Sequence, residues 1–597
     1  MQNILTHNLS KLKLLSNSNL KKLNLISTIR LISFLAFVSF CILAYIYPKG
    51  INFIFLGISL TVFGWFVREY TRLSHFQERL LSLQTVFERE KNRADMNMEV
   101  LYRGNPIQVE SLSKNHYHND LDIFGKNGLY FYLDTTFTLG GQEAFFSELT
   151  RENSPTKESI FQRQKEISEL GKRRKITYKI FRYLNEISLS GGYAKINWKK
   201  FPSGSLEFFQ SYPFLPYLFR VWIVFAWIYF LVSFLLELPS FFALFVLFNL
   251  AITAIGFKKK NLILQKYKEV FEKFSQLESL FVYLHKTKFK EESLSEFFPK
   301  KNLSKTKFLF KNLNRIVDKL SFTSSPLLRF ILNFFFLFDL WILSEIKIFE
   351  EKFGKEPENL FRNLEYLDSI LPFANFLIHN EKNSFPIFNP KLGSIEAKNI
   401  SHPLIPKEKR ISNDLEKTLF GETVLITGSN MSGKTTYLRT IGVNVVLALA
   451  GSSVCAESLQ LPVLKILTSI RNEDSMLEGI SFFYAEVKRI ANILEKSNIP
   501  NEPSLILIDE VLKGTNTRER LIASRAIMNQ IAKTKSISFI TTHDLELAKR
   551  GKKLKLKNFS EIVKSGKIDF DYKIRNGVVK STNALKILSS EIPTLRF

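Results

Sequence analysis

The stretch "LITGSNMSGKTTYLRT" (425–440) decides the fold of the last third of the chain. The apolar run "TVLIT" (423–427) predicts a buried strand, and "TTYLRTIGVNVVLALA" (435–450) predicts the helix that follows. The residues between them fit the pattern G-x-x-x-x-G-K-[ST]. Its glycines let backbone N–H groups face a phosphate, and the helix N-terminus adds positive potential. The stretch therefore predicts a nucleotide-phosphate site.

This loop supplies the predicted nucleotide-binding residues. They are Gly428, Ser429, Asn430, Met431, Ser432, Gly433, Lys434, Thr435 and Thr436. We expect Lys434 to contact the β- and γ-phosphates and the Thr435 hydroxyl to ligate Mg²⁺. The predicted cofactors are therefore ATP and Mg²⁺.

Two more apolar runs end in polar side chains suited to the same chemistry. The run "SLILIDE" (504–510) is typical of a strand buried on both faces, and Asp509 at its carboxyl end predicts a second Mg²⁺ ligand. Glu510 is placed to polarise an attacking water. The run "SISFITTH" ends at His543, which is either a sensor of the γ-phosphate or a structural histidine. The residues predicted to be catalytic are Glu510, Lys434 and His543.

Composition limits the class of protein. The chain has 597 residues, of which 45% are hydrophobic and 57 are Phe, so much apolar surface must be buried in protein or in lipid. The formal net charge of +27 favours a polyanionic partner, either nucleic acid or an anionic membrane, unless it serves only solubility. The only cysteines are Cys41 and Cys455, so the sequence predicts no disulfide framework and fits a reducing compartment.

Four apolar runs come in two closely spaced pairs: Leu31–Tyr47 with Ile51–Val67, and Val221–Leu236 with Leu238–Phe257. Their lengths approach the minimum for crossing a hydrocarbon core of about 30 Å. Lys and Arg flank the outer ends of both pairs, which predicts transmembrane helical hairpins with the N-terminus and both soluble parts in the cytoplasm. We expect an integral protein of a bacterial plasma membrane. The alternatives are a signal peptide for the first run and buried core pairs for both hairpins.

A fifth apolar run, "PLLRFILNFFFLFDLWILSEIK" (326–347), contains Arg329, Asn333 and Asp339. Charged groups at the centre of a helix are costly in lipid. The sequence therefore predicts a buried soluble helix here. The other segments between the hairpins interleave charged residues with apolar positions three and four apart, which predicts an all-α region.

These patterns divide the chain into six parts. They are a basic N-terminal tail (1–30), transmembrane hairpin 1 (31–67), a first part of a helical core (68–212), transmembrane hairpin 2 (213–257), a second helical core or lever part (258–398) and an α/β domain (399–597).

The α/β part resembles the ATPase of the MutS family of DNA mismatch-repair proteins. The resemblance rests on ordered motifs: "SHPLI" (401–405), "SNDLE" (412–416), "TGSNMSGKTTYLRT" (427–440), "EDSMLEGISFFYAE" (473–486), "DEVLKGTNT" (509–517) and "TTHDLEL" (541–547). It implies an α/β P-loop ATPase domain of the ABC/MutS type with a mainly parallel sheet. It extends more weakly to the helical core and covers roughly residues 120–210 and 300–590, so the chain looks most like a membrane-anchored branch of the family.

The resemblance also implies a homodimer with composite sites. In that arrangement Gly479 and Ser481 reach the γ-phosphate bound by the partner subunit, and the alternative for Ser481 is an ordinary loop serine. The segment Gly514, Thr515, Asn516 and Thr517 would lie at the same dimer interface.

The departures from the family concern DNA. Relatives that recognise mismatches use an N-terminal domain with a Phe-x-Glu wedge, whereas this chain has a basic tail and an apolar hairpin in that place, which weighs against mismatch recognition. The leading hypothesis is a membrane-anchored ATPase that couples its nucleotide state to DNA binding, with membrane lipid and an unidentified protein as further partners. The alternative is an ATP-driven membrane protein, either transporter-like or partner-regulating, that does not bind DNA. A scaffold that binds ATP without turnover is disfavoured by Glu510.

Overall fold

The computed structural model describes most of the chain. The described ranges are 2–102, 117–150, 154–190, 215–235, 242–254, 257–389, 393–429, 431–471, 482–512, 515–549, 553–564 and 567–579.

The first apolar pair lies within a much longer helical hairpin. Helix α1 (Gln2–Ile46) and helix α2 (Gly50–Ala94) have 45 residues each and are joined by a turn at Tyr47–Lys49. They run antiparallel, since pairs such as Phe34 with Phe63 (ring centroids 5.5 Å apart) and Lys13 with Glu88 (3.3 Å) pack along their length. The segment predicted as a basic tail (1–30) is therefore helical where it is described, and it packs on the second half of α2.

The remaining helices follow between residues 98 and 379. They are α3 (Met98–Leu101), α4 (Tyr117–Asp120), α5 (Leu129–Leu133), α6 (Leu139–Thr150), α7 (Lys157–Lys172), α8 (Arg174–Ser190), α9 (Leu215–Leu235), α10 (Phe242–Ala254), α11 (Phe257–Ser275), α12 (Glu278–Lys286), α13 (Glu292–Phe297), a 3₁₀ turn (Lys300–Asn302), α14 (Leu303–Phe322), α15 (Pro326–Phe336), α16 (Phe338–Phe353) and α17 (Glu356–His379). Helix α17 packs against α6 and α7 and forms the centre of this all-α region.

By length and composition, the described residues contain two helices able to cross a bilayer, Leu5–Ile46 and Gly50–Ala94. A third arises if α15 and α16 are counted as one broken span. The second predicted hairpin corresponds to α9 and α10, and α10 has 13 residues, or about 20 Å of helix. Residues 236–241 and 255–256, on either side of α10, lie outside the described residues, so the second hairpin stays a prediction.

The fifth apolar run is two helices, with a bend of 82° between α15 and α16. The prediction of one buried helix is correct for α16, whose Ile342 and Ile346 are buried, but wrong for α15, whose Leu327 is 72% exposed and Phe330 58% exposed. The physical reason is the spacing of the polar residues. Arg329 and Asn333 are four apart and share one face of α15, which leaves the opposite face wholly apolar.

The α/β region begins with β1 (Ile387–Phe388) and β2 (Ser394–Ile400), and the domain boundary predicted at 398/399 falls within β2. The other elements are β3 (Asn413–Leu419), β4 (Thr423–Gly428), α18 (Lys434–Leu449), β5 (Ser458–Leu461), β6 (Lys465–Ser469), α19 (Phe482–Ser497), β7 (Ser504–Asp509), α20 (Thr517–Ile531), β8 (Ser536–Thr542), a 3₁₀ turn (Leu545–Lys549), β9 (Leu554–Lys564) and β10 (Lys567–Asn576).

These strands form two sheets. The smaller has the order β1-β5-β2-β3, and the larger has the order β10-β9-β4-β8-β7-β6. All pairs in the larger sheet are parallel except β9 with β10. Strands β4, β7 and β8 are buried along their whole length. Because parallel strands end at the same edge, the carboxyl ends of these three strands converge on one site.

The helical region and the larger sheet share one continuous apolar core. A polar contact fixes their junction: the buried Asp120 carboxylate on α4 accepts the N–H groups of Ile470 (3.0 Å) and Arg471 (2.8 Å) just after β6. The same carboxylate pairs with Arg489 on α19. Asp120 therefore holds both flanks of the segment 472–481, which itself lies outside the described residues.

Candidate nucleotide site

The predicted loop lies between the carboxyl end of β4 and the start of α18. Gly428 has φ 152° and Gly433 has φ 105°, which favour glycine. A Cβ at Gly428 would lie 2.7 Å from the carbonyl oxygen of Phe559, so a larger residue would displace β9. Lys434 is 5% exposed, and its Nζ donates to the carbonyl oxygens of Gly428 and Ser429 at 2.8 Å each. The loop thus curls around the lysine ammonium.

The other loop residues fit an anion-binding role to different degrees. The Oγ atoms of Ser429 and Ser432 are buried without a hydrogen-bond partner, so the loop contains two hydroxyls available to a ligand. Met431 is 87% exposed at the loop tip, and Thr436 is exposed at the mouth of the cleft. Asn430 lies outside the described residues.

The predicted Mg²⁺ ligands meet at the ends of β7 and α18. Thr435 Oγ1 donates to Asp509 Oδ2 (2.8 Å), and Thr541 Oγ1 donates to Asp509 Oδ1 (2.6 Å). The described residues contain no group of three or more His, Cys, Asp or Glu side chains that could hold a metal. One hydroxyl and one carboxylate still fit Mg²⁺, because this ion keeps several waters and takes further oxygens from phosphates.

Glu510 and His543 lie directly against each other. Glu510 has φ 64°, a left-handed conformation unusual for glutamate, and its N–H donates to Thr541 Oγ1 (3.0 Å). His543 Nε2 is 2.6 Å from Glu510 Oε1 and 3.4 Å from Lys434 Nζ. The structure therefore brings the three residues predicted to be catalytic into one cluster.

Sequence reasoning missed two residues that organise this cluster. Thr541 bridges Asp509 and the Glu510 backbone, and the threonine pair before His543 was the available signal. Arg520 on α20 forms a bidentate ion pair with Asp544, with N–O distances of 2.6 and 3.0 Å. This pair ties α20 to the residue after His543, so the histidine loop is positioned by the helix that follows Glu510.

The cluster lies at one end of a cleft of about 540 Å³. The opposite end is lined by His402, Ile405, Ile411 and Tyr572, a mixed aromatic and apolar wall suited to a planar base. Burial lowers the pKa of His402 to about 4, with Arg410 and Arg439 adding to the effect. His402 is therefore neutral near pH 7. The motif "SHPLI" drew attention to this segment in the sequence, but only the structure shows that His402 and Ile405 line the cleft.

The residues expected at a dimer interface divide into two groups. Gly479, Ser481 and Gly514 lie outside the described residues. Thr515, Asn516 and Thr517 begin α20: Asn516 Oδ1 accepts the Glu519 N–H (2.9 Å) as an N-cap, and Thr515 Oγ1 donates to Glu519 (2.8 Å). Thr517 is exposed. Within one chain, Thr515 and Asn516 thus already have a local capping role.

The site combines a glycine loop, a buried lysine and oxygen ligands for a divalent cation at the edge of a parallel sheet, which suits a bound triphosphate. The family model for MutS domain V matches residues 424–594, which contain this cluster. The DNA mismatch repair protein MutS of Listeria monocytogenes is 29% identical over 265 residues, covering 42% of this chain and 30% of that protein.

Two further relatives agree with this match. MutS2 of Bacillus subtilis, which bears the provisional name of an endonuclease, is 31% identical over 254 residues, covering 40% of this chain and 31% of that protein. MutS protein homolog 4 of Mus musculus is 39% identical over 150 residues, covering 24% of this chain and 15% of that protein. The matches support a place in the MutS family, and the chain spans no more than about a third of the length of these relatives.

Proposed function

We propose that this protein is a membrane-anchored MutS-like ATPase. The observation that carries the proposal is the convergence of Lys434, Thr435, Asp509, Glu510 and His543 at the carboxyl ends of neighbouring parallel strands. The MutS domain V match over the same residues supports it.

Each side chain has a role that follows from its position. Lys434 neutralises the β- and γ-phosphates, and the loop N–H groups and the Ser429 and Ser432 hydroxyls hold their oxygens. Thr435 and Asp509 would hold Mg²⁺, which would supply positive charge to the triphosphate. Glu510 orients and deprotonates the attacking water, because its carboxylate lines the cleft beside His543, which in turn contacts Lys434. His543 reports the presence of the γ-phosphate to α20 through Asp544 and Arg520.

The first hairpin is the proposed anchor. Its central residues are apolar and exposed on the outside of the pair, for example Ile32 (60%) and Ile54 (62%), as expected for contact with acyl chains. Lys and Arg on both helices beyond residues 31–67 favour a cytoplasmic location for the ends of the hairpin. We place the protein in a bacterial plasma membrane, with its soluble parts in the cytoplasm.

A series of polar contacts, buried at its α2 end, connects the anchor helix with the loop beside the nucleotide cleft. Near the end of α2, Glu90 pairs with Arg93 (2.7 Å) and with His379 Nε2 (2.5 Å) at the end of α17. The His379 carbonyl accepts Lys407 Nζ (2.6 Å) from the loop that also lines the base end of the cleft. A change in that loop on nucleotide binding would thus act on α2 through His379.

The composite dimer predicts complementation between two defective variants. Lys434→Ala lacks the phosphate lysine and Ser481→Ala lacks the hydroxyl for the partner's γ-phosphate, so each alone should hydrolyse little ATP. Mixing them should restore about one quarter of the wild-type rate, because half of randomly formed dimers are mixed and each has one intact site. Phosphate release after co-expression of differently tagged chains measures this. No recovery in isolated mixed dimers contradicts shared sites.

DNA is a further proposed partner, and a row of basic side chains on α14 supports it. Lys307, Lys311 and Arg315 are exposed and four residues apart, so they share one face of that helix. Changing all three to Gln should lower the slope of log affinity against log salt by about 2.7, since each neutralised phosphate contributes about 0.9. Duplex binding by the detergent-solubilised protein over a salt series measures it.

The control for this prediction changes the same number of charges elsewhere. Lys398, Lys417 and Lys533 are exposed on the α/β region, and their substitution by Gln should leave the slope nearly unchanged. Equal affinity of the wild type for matched and mismatched duplexes would exclude mismatch recognition. If the wild type binds no duplex at low salt, DNA is excluded and the alternative of an ATP-driven protein acting on a membrane partner is favoured.

A further inference from the structure

A cavity of about 670 Å³ lies beside the second hairpin, away from the nucleotide site. It is enclosed by the end of α10, the first half of α11, the α14–α15 connection and α15. Its wall is divided between apolar side chains, among them Leu250 and Phe330, and polar side chains, among them Lys268, Ser324 and Arg329. A cavity with these two halves suits an amphiphile rather than a wholly polar or wholly apolar ligand.

The polar half favours an anion. The described lining residues include the cations Lys268 and Arg329 and no carboxylate. Arg329 pairs with Asp339 (2.7 Å) and donates to Asn261 (2.7 Å). Lys268 donates to Ser324 Oγ just before the N-terminus of α15, and its Nζ lies 3.8 Å from Glu272 on its own helix. Thr253 also lines the cavity, and its Oγ1 is buried without a hydrogen-bond partner. An unpaired buried hydroxyl is costly unless a ligand satisfies it.

The apolar half continues out of the cavity along α15. Helix α15 packs on the hairpin with its inner face, where the Trp227 and Phe336 rings stack at 5.5 Å and Asn249 donates to the Phe334 carbonyl (3.0 Å). Its outer face exposes Leu327 and Phe330. An acyl chain leaving the cavity would therefore stay in contact with apolar side chains.

We propose that this cavity binds the phosphodiester headgroup of an anionic glycerophospholipid, with Lys268 and Arg329 facing the phosphate and the acyl chains lying along α15. The inference rests on the proposed membrane anchoring and extends it from a general attachment to a specific lipid site. Charge complementarity selects an anionic lipid over a zwitterionic one, because both cationic side chains line the cavity whereas their carboxylate partners, Glu272 and Asp339, do not.

The test uses the full chain in neutral detergent with phosphatidylglycerol or phosphatidylcholine of identical acyl chains, and lipid retention is measured by native mass spectrometry. Phosphatidylglycerol should be retained preferentially, and Lys268→Gln should weaken its binding about fivefold. Lys266→Gln, on the same helix but outside the cavity lining, should leave binding unchanged. Thr253→Val conserves volume and should weaken binding too, which covers the case in which Lys268→Gln does not fold.

Several outcomes would overturn the proposal: equal retention of both lipids, full binding by both cavity variants, or competition by millimolar inorganic phosphate that identifies a free-phosphate site instead. A soluble short-chain phosphatidylglycerol separates this failure from failure of the anchor. If the protein is extracted from membranes by alkaline carbonate yet binds the short-chain lipid in a Lys268-dependent manner, the anchoring is wrong and the lipid site stands.

Discussion

Glu510→Gln should reduce ATP turnover by about 100- to 10,000-fold while leaving ATP binding intact. The amide cannot accept a proton from the attacking water, but it conserves the size of the side chain and its contact with His543, which lies 2.6 Å away. Lys434, Thr435 and Asp509 are untouched, so the affinity for the nucleotide should change little. Single-turnover phosphate release and equilibrium binding of a fluorescent ATP analogue, measured on the same sample, separate the two effects.

Glu546→Gln is the matched control. Glu546 is exposed on the 3₁₀ turn after His543, and its side chain does not line the cleft. Its substitution should leave turnover within a factor of about two, as expected for an exposed residue outside the chemistry. Wild-type turnover by Glu510→Gln would remove Glu510 from the role of general base.

Arg93→Ala should be strongly destabilising. Arg93 is 4% exposed, donates to Glu90 and also binds the carbonyl oxygens of Tyr132 (2.7 Å) and Asp134 (3.0 Å). Its removal leaves the buried Glu90 carboxylate without its cationic guanidinium partner, beside His379 and Asn375. Breaking a buried pair in this way costs about 3–5 kcal/mol. Thermal unfolding in detergent should show a fall in Tm, whereas Arg79→Ala, on an exposed part of α2, should show almost none.

The same network gives a pH dependence with a definite sign. Burial by itself raises the pKa of Glu90, but the Arg93 guanidinium and the hydrogen bond from His379 outweigh it and hold the pKa at about 2, below the ordinary value of 4.5. A carboxyl group with a lowered pKa stabilises the folded state fully above its unfolded pKa. This contribution should be present above pH 4.5 and be lost as the pH falls from 4.5 to about 2. If Arg93→Ala and the wild type have the same Tm throughout this pH range, the network does not stabilise the contact between α2 and α17.

The nucleotide loop and the strand ends could be predicted from sequence because their chemistry is local. A buried parallel strand is a continuous apolar run, and the polar residue after it must lie at the carboxyl edge of the sheet. Gly428, Lys434, Asp509, Glu510 and His543 follow this rule. The base end of the cleft does not, because His402 and Tyr572 are far apart in sequence and meet only through the packing of β3 and β10.

The helical region was less predictable, because its arrangement also depends on contacts between distant parts of the chain. Apolar periodicity shows which face of a helix is buried but not whether lipid or protein covers it. Helix α15 was therefore expected to be buried, although its outer face is exposed, and the bend at Leu337 (φ 45°) leaves no mark in the apolar pattern. The contact of Asp120 with Arg489 joins residues 369 positions apart, and neither residue belongs to a motif. Long-range polar contacts of this kind need the structure.

The central claim is that a magnesium-dependent ATPase is anchored in the bilayer by the first hairpin. The most direct measurement is phosphate release by the full chain reconstituted into liposomes and recovered by flotation, compared with Lys434→Ala prepared in the same way. We predict that both proteins float with the liposomes after a carbonate wash, and that only the wild type releases phosphate, and only when Mg²⁺ is present. Protein that stays at the bottom of the gradient, or equal phosphate release by the two proteins, would contradict the account.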